Sequence, residues 1–182
     1  MTNRIAPTTP ATAPEAARPI LEQLRAGLGK VPNLFATIAH APHTLRGLLG
    51  WDTALGEGSL TRREVEQLNL HVSELNGCGY CVSAHTALGK MSGLTPEETV
   101  AARRGTGATA REDALLAFAR RVVRTGGHGA TTELARLRAA GVTDAEILDV
   151  LAIVALKTFT NAAAIVAQTE IDFPRAPELP LP

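Results

Sequence analysis

EQLNLHVSELNGCGYCVSAH, residues 66–85, holds both cysteines of the chain, in the motif Cys78-Gly79-Tyr80-Cys81. Glu66 precedes the motif, and His85 follows Cys81 at an i, i+4 spacing. That spacing puts Cys81 and His85 on one face of a helix running from Cys81 onward. Asn76-Gly77 is a turn and helix-stop signal. The segment before it is therefore expected to fold back as a helical hairpin, bringing Glu66 beside the thiols. Cys78 then falls at or just before a helix start, where unpaired N–H groups and the helix dipole favour a thiolate. A pair at i, i+3 there can also close a disulfide with little backbone movement.

Upstream, Thr61-Arg62-Arg63-Glu64 is a capping box that opens the helix carrying Glu66. Val65, Leu68, Val72 and Leu75 give that helix its apolar stripe. Before it, Pro14–Leu28 has helical spacing through Ile20, Leu21, Leu24 and Leu28, and Asn33–His40 and His43–Leu55 read as short helices. Downstream, Thr95-Pro96-Glu97-Glu98 caps a helix to about Arg104. Ala110–Arg124 and Thr132–Ala140 are two more, and Thr143-Asp144-Ala145-Glu146 caps the last and longest, expected to reach about Thr169. No segment alternates with period two, so the fold is predicted to be all-α. Residues 1–13, rich in Pro, Thr and Ala, are read as an extended arm; residues 14–174 are one domain and 175–182 a Pro-rich tail. A shift of 82 residues lays Leu60-Thr61-x-x-Glu64 on Val142-Thr143-x-x-Glu146, a trace of internal duplication that places Thr160 and Ala163 under the two cysteines.

Composition narrows the function. Lys+Arg and Asp+Glu both number 18, so no basic field points to nucleic acid. Aromatics are 3% of the chain, which leaves a core of Ala, Leu, Val and Ile suited to close helix packing. The N-terminal stretch has no apolar run of the signal-peptide kind. The unbroken apolar run Val150–Leu156 is far short of the roughly 18 residues a membrane span needs, so no membrane partner is expected. Two cysteines without an export signal read as a reduced, reactive pair in a cytoplasmic protein.

Glu66, Cys78-x-x-Cys81 and His85 at these spacings resemble the alkyl hydroperoxidase D-like branch of the carboxymuconolactone decarboxylase superfamily. The segments VPNLFATIAHAP (Val31 to Pro42) and TNAAAIVAQTEIDFP (Thr160 to Pro174) look like flanking stretches of its peroxidase-related members. The resemblance implies an oligomeric all-α bundle with the CxxC at a helix N-terminus. It also implies a cofactor-independent thiol peroxidase, acting on a hydroperoxide and reduced by an external dithiol, commonly assembled as a homo-oligomer, trimer or hexamer. By the same resemblance Cys81 attacks the peroxide, Glu66 and His85 take up its proton through a water, and Cys78 resolves the sulfenic acid. The residues alone leave the choice of nucleophile open, since the helix dipole favours Cys78 and His85 favours Cys81. Tyr80 departs from members that place a proton-relaying His before the second cysteine.

Two other readings fit the same residues. One is a lactone decarboxylase or isomerase on the same fold, a chemistry that does not need the two thiols. The other is a zinc or redox-sensing module using Cys78, Cys81, His85 and either Glu66 or His71, although no second CxxC or HxxxH completes the set. His71 otherwise reads as structural or surface. His40, His43 and His128 carry no pattern and read as surface residues. The stripe of Ile147, Val150, Leu151 and Val154 reads as core or subunit interface.

Overall fold

The computed structural model describes residues 4–179, and these are helical, with no strand among them. After a short 3-10 turn at Glu15–Ala17 come α1 (Arg18–Leu28), α2 (Asn33–Ile38), α3 (Pro42–Leu55), α4 (Arg62–Leu75) and α5 (Gly79–Met91). Then follow α6 (Pro96–Arg104), α7 (Ala110–Thr125), α8 (Thr131–Ala139) and α9 (Asp144–Ala167). The expected helices are all present, with shifted ends. Pro42 lies within α3, in its first turn, where a missing N–H costs nothing. The 3-10 turn replaces the first turn of the expected Pro14–Leu28 helix, because Pro19 fits only near the start of α1.

Thr61, Thr95, Thr109 and Thr143 each close a capping box on the Glu three residues later, at the starts of α4, α6, α7 and α9. Each box satisfies two donors that a helix start leaves unpaired. Two of these glutamates are also buried against one cation. Arg111 of α7 donates from Nε to Glu64 Oε1 and from Nη2 to Glu146 Oε1, both at 2.6 Å.

α9 is the helix the others gather round, packing on α2, α3, α4, α5 and α7. By length and composition it is apolar enough to cross a bilayer, but half of its most apolar window is buried within this fold. Val150, Ile153 and Val154 enter a core with Leu68 and Val72 of α4 and Leu115, Leu116 and Phe118 of α7. Leu156 and Ala164, further along α9, belong to a second core with Leu34, Ile38, Leu45, Leu48 and both cysteines. The thiols therefore sit in the apolar interior, against the far half of α9.

The segment before the first helical turn and the one after α9 both lie along this second core. Thr8 donates through its N and Oγ1 to Ala36 O, at 3.0 and 2.8 Å. Past α9, Asp172 binds Lys30, Asn33 and Tyr80, and Arg103 donates to Pro177 O at 2.7 Å.

Candidate functional site

α4 ends at Asn76, and Gly77, at φ 69, turns the chain in a conformation that costs a side-chain-bearing residue energy. α5 starts two residues later, so the hairpin is as tight as the Asn-Gly signal implies. Cys78 is its N-cap residue: Cys78 Sγ accepts from Cys81 N–H at 3.3 Å. The helix thus begins at Gly79, before the expected Cys81, with a sulfur in the place usually held by a Ser or Asp oxygen.

Cys78 and Cys81 are free and buried, 1% and 3% exposed, with their sulfurs 2.7 Å apart. That gap is within hydrogen-bond reach. The hydrogen bond from Cys81 lowers the pKa of Cys78; burial opposes this, and the Cys81 and Tyr80 N–H groups and the Lys157 charge add to the lowering. Cys81 is pushed up by the same hydrogen bond and by burial. Of the two sulfurs, Cys78, at the positive end of α5, is thus the one whose ionisation is favoured.

Behind the thiols, α4 and α5 bring Glu66 and His85 together. His85 Nδ1 lies 2.8 Å from Glu66 Oε2, with the two side chains only 11% and 13% exposed. Glu66 Oε1 accepts from Asn69 at 3.3 Å. Burial opposes ionisation of Glu66, yet His85, Lys157 and Asn69 together hold its pKa below the ordinary carboxylate range.

The other nitrogen of His85 meets a residue that the sequence reading did not single out. Lys157 of α9, 8% exposed, places Nζ 3.0 Å from His85 Nε2. An ammonium only donates, so Nε2 accepts and the ring proton sits on Nδ1, directed at Glu66. A chain of charge-assisted hydrogen bonds thus runs Lys157–His85–Glu66; the lysine charge adds to the lowering at Cys78 and opposes the rise at Cys81. No hydrogen bond links His85 to Cys81 among the described residues, although both lie on the expected face of α5.

Lys157 had a signal in the sequence. It is the one charged residue between Asp149 and Glu170, and it continues the buried stripe Val150, Val154 at the next helical step. A lone charge on the buried face of an apolar helix must find polar company.

Tyr80 and His71 lie outside this chain. Tyr80 Oη donates to Asp172 Oδ1 at 2.8 Å, accepts from Leu34 N–H at 3.2 Å, and stacks edge-on against Phe173. Burial first, then the Asp172 hydrogen bond and charge, push its pKa up, so it keeps its proton. It anchors the segment after α9. His71 is 1% exposed, with Nδ1 3.2 Å from Arg103 O, so of the two expected placements the interior one is correct. Burial lowers its pKa. A Cβ added at Gly105, where φ is +80, would meet its ring at 2.6 Å. His40, His43 and His128 are exposed. No cluster of three or more His, Cys, Asp or Glu is disposed to hold a metal among the described residues.

Beside the CxxC turn lies a cavity of about 300 Å³, lined by Gly77, Gly79 and Ser83 and by Glu74, Arg103 and Arg175.

An all-α frame of this order, with paired thiols at the start of α5, is an alkyl hydroperoxidase D-like fold. Residues 39–125 match the carboxymuconolactone decarboxylase family. No curated protein matches the sequence. Among solved structures, the chain is similar to a peroxidase-related protein with an alkylhydroperoxidase core from Ralstonia eutropha JMP134. The two are 27% identical with a TM-score of 0.84, over 94% of this chain and 93% of that one. A peroxidase-related protein from Silicibacter sp. TM1040 shares the fold at a TM-score of 0.81 and 23% identity, over 93% of both chains. So does the debrominase Bmp8, at a TM-score of 0.77 and 20% identity, over 93% of this chain and 92% of that one. The frame thus hosts more than one chemistry, and the chain is an enzyme of this broad type.

Proposed function

We propose that the protein is a cofactor-independent, thiol-dependent hydroperoxide reductase. The observation that carries this reading is the pair of free thiols 2.7 Å apart at the start of α5, beside the Lys157–His85–Glu66 chain. A thiolate attacks the terminal oxygen of a hydroperoxide, and a neighbouring thiol turns the resulting sulfenic acid into a disulfide. In this reading Cys81 attacks, as the family resemblance implies, after its proton has moved to Cys78. Cys78 then displaces hydroxide from the sulfenic acid. Glu66 and His85 carry the protons between this pocket and solvent. An external dithiol returns the disulfide to two thiols.

Mass spectrometry of the reduced protein before and after one equivalent of hydroperoxide tests the proposal. Loss of two hydrogens, mapped to a Cys78–Cys81 crosslink and accompanied by one equivalent of alcohol, is expected. Retention of both thiols, with the peroxide unconsumed, overturns it.

We also propose that the working form is a homo-oligomer. The support is an exposed apolar face on α9, taken up in the Discussion.

A further inference from the structure

Lys157 is more than the reading above requires. An ammonium 8% exposed inside an apolar core is costly unless a counter-charge faces it. Its hydrogen bond runs to a neutral nitrogen, His85 Nε2. His85 of α5 faces it at 3.0 Å, and Glu66 of α4 is engaged by the other side of that ring. Both thiols pack in one core with Leu156, its neighbour on α9, so a thiolate formed there is the charge left to pair with the ammonium.

We infer that Lys157 is the acid of the peroxide reaction: its ammonium pairs with the thiolate and then protonates the alkoxide released when the O–O bond breaks. The inference rests on the hydroperoxide reading above. Cys81 Sγ forms a bond to the terminal oxygen of R–O–OH, the O–O bond breaks, and sulfur is oxidised to the sulfenic acid while the peroxide is reduced. The electron pair leaves on RO⁻, a far stronger base than an amine, which takes a proton from Lys157 Nζ and departs as ROH. Lys157 is left as the neutral amine. A proton from solvent returns the Lys157 amine to the ammonium, with His85 Nε2 again its acceptor and Nδ1–H still held by Glu66. Cys78 then attacks the sulfenic sulfur, and its own proton leaves with the displaced hydroxide as water. The charges balance with one proton taken up per peroxide reduced. His85 cannot do this work at the thiols itself, since Nε2 is occupied by Lys157 and Nδ1 by Glu66.

The test compares oxidants with different leaving groups, reacted with the full-length reduced protein. tert-Butyl hydroperoxide releases an alkoxide that needs a proton; peracetic acid releases a carboxylate that does not. Lys157→Met should slow reaction with tert-butyl hydroperoxide by about 10²-fold or more. Its reaction with peracetic acid should fall only as far as the thiolate fraction falls, measured by the rate of iodoacetamide alkylation. Lys157→Gln keeps a donor for His85 Nε2 without a transferable proton and should behave like Lys157→Met. It also carries the comparison if the methionine variant does not fold. Lys157→Arg keeps the charge but holds its protons too tightly, so it should restore alkylation and not the tert-butyl hydroperoxide rate. Equal losses with both oxidants, or a Lys157→Gln protein with the wild-type ratio of rates, overturn the acid role alone. A wild-type protein that forms the Cys78–Cys81 disulfide with neither oxidant overturns the reductase reading with it.

Discussion

Glu64 and Glu146 hold equivalent places in two capping boxes, at the starts of α4 and α9, and share the guanidinium of Arg111 at 2.6 Å each. The weak repeat in the sequence thus corresponds to a symmetric joint, with one cation tying together the two helices that frame the site. α9 runs unbroken through Thr160 and Ala163, the positions that match the cysteines, whereas the first copy turns at Gly77 and restarts at Gly79.

This joint carries the first prediction. Removing the cation with Arg111→Met leaves two carboxylates that are 7% and 9% exposed without their partner. The cost should be about 2–4 kcal/mol, at the lower end for a broken buried pair because Arg111 is itself 29% exposed. Arg111 and the Thr143 hydrogen bond hold Glu146 at about 2 in the fold, below the 4.5 of the free side chain. A lowered carboxylate pKa stabilises the fold fully above the unfolded value, and that stabilisation is lost as pH falls from 4.5 toward 2. The wild type should therefore lose thermal stability over that window, and Arg111→Met should lose less, since its orphaned carboxylates favour protonation. Melting curves from pH 2 to pH 7 of both proteins decide it; parallel curves would refute the role given to Arg111.

The second prediction concerns which sulfur attacks. Ionisation is favoured at Cys78, yet one proton moving between the sulfurs delivers the charge to Cys81. Cys81→Ser should abolish peroxide turnover. Cys78→Ser should leave a sulfenic acid on Cys81 that dimedone traps. If dimedone instead labels Cys78 in the Cys81→Ser protein and turnover persists, the two roles are exchanged.

A third prediction separates the proton path from the thiols. Glu66→Gln and His85→Gln each break the hydrogen-bonded chain that holds Lys157 beside the thiols. Both should slow the reaction with peroxide about 10-fold or more at neutral pH, with recovery as alkaline solution deprotonates the thiols directly. The alkylation rate against pH should shift to higher pH in the same variants. A profile that coincides with the wild type would remove both residues from the mechanism.

Much of this arrangement was legible in residues 66–85 because it is local. Capping box, helix stop and the i, i+4 spacing fix Glu66, Cys78, Cys81 and His85 within one hairpin, and hairpin geometry does the rest. Lys157 was hidden for the opposite reason: 72 residues separate it from His85, and only the packing of α9 across α5 brings the two together. The stripe of Ile147, Val150, Leu151 and Val154, expected as core or subunit interface, packs into the first core, and following it one further step reaches Lys157. Tyr80 was likewise unreadable as an anchor, since its partners Leu34 and Asp172 come from opposite ends of the chain.

The last prediction concerns the face of α9 that its own subunit does not cover. Leu148, Ala152, Ala155, Phe159, Ala162 and Val166 recur at alternating steps of four and three, the spacing of a seam that receives another helix. Leu148, Phe159 and Val166 are 64%, 42% and 58% exposed, and Ile165 beside them is 45% exposed. The alanines between them let a facing backbone come close. A face with large and small residues in turn can pack on its own copy about a symmetry axis. With nine helices already placed, the described residues include nothing left to lay on it. We therefore expect a homo-oligomer whose interface includes this seam; the family resemblance suggests a trimer or hexamer. Light scattering at low micromolar concentration should give a multiple of the 19.1 kDa chain. Phe159→Glu together with Ala162→Glu should reduce the mass to one chain by placing two carboxylates in an apolar contact. A wild-type protein that runs at 19.1 kDa and turns over peroxide would refute the proposal.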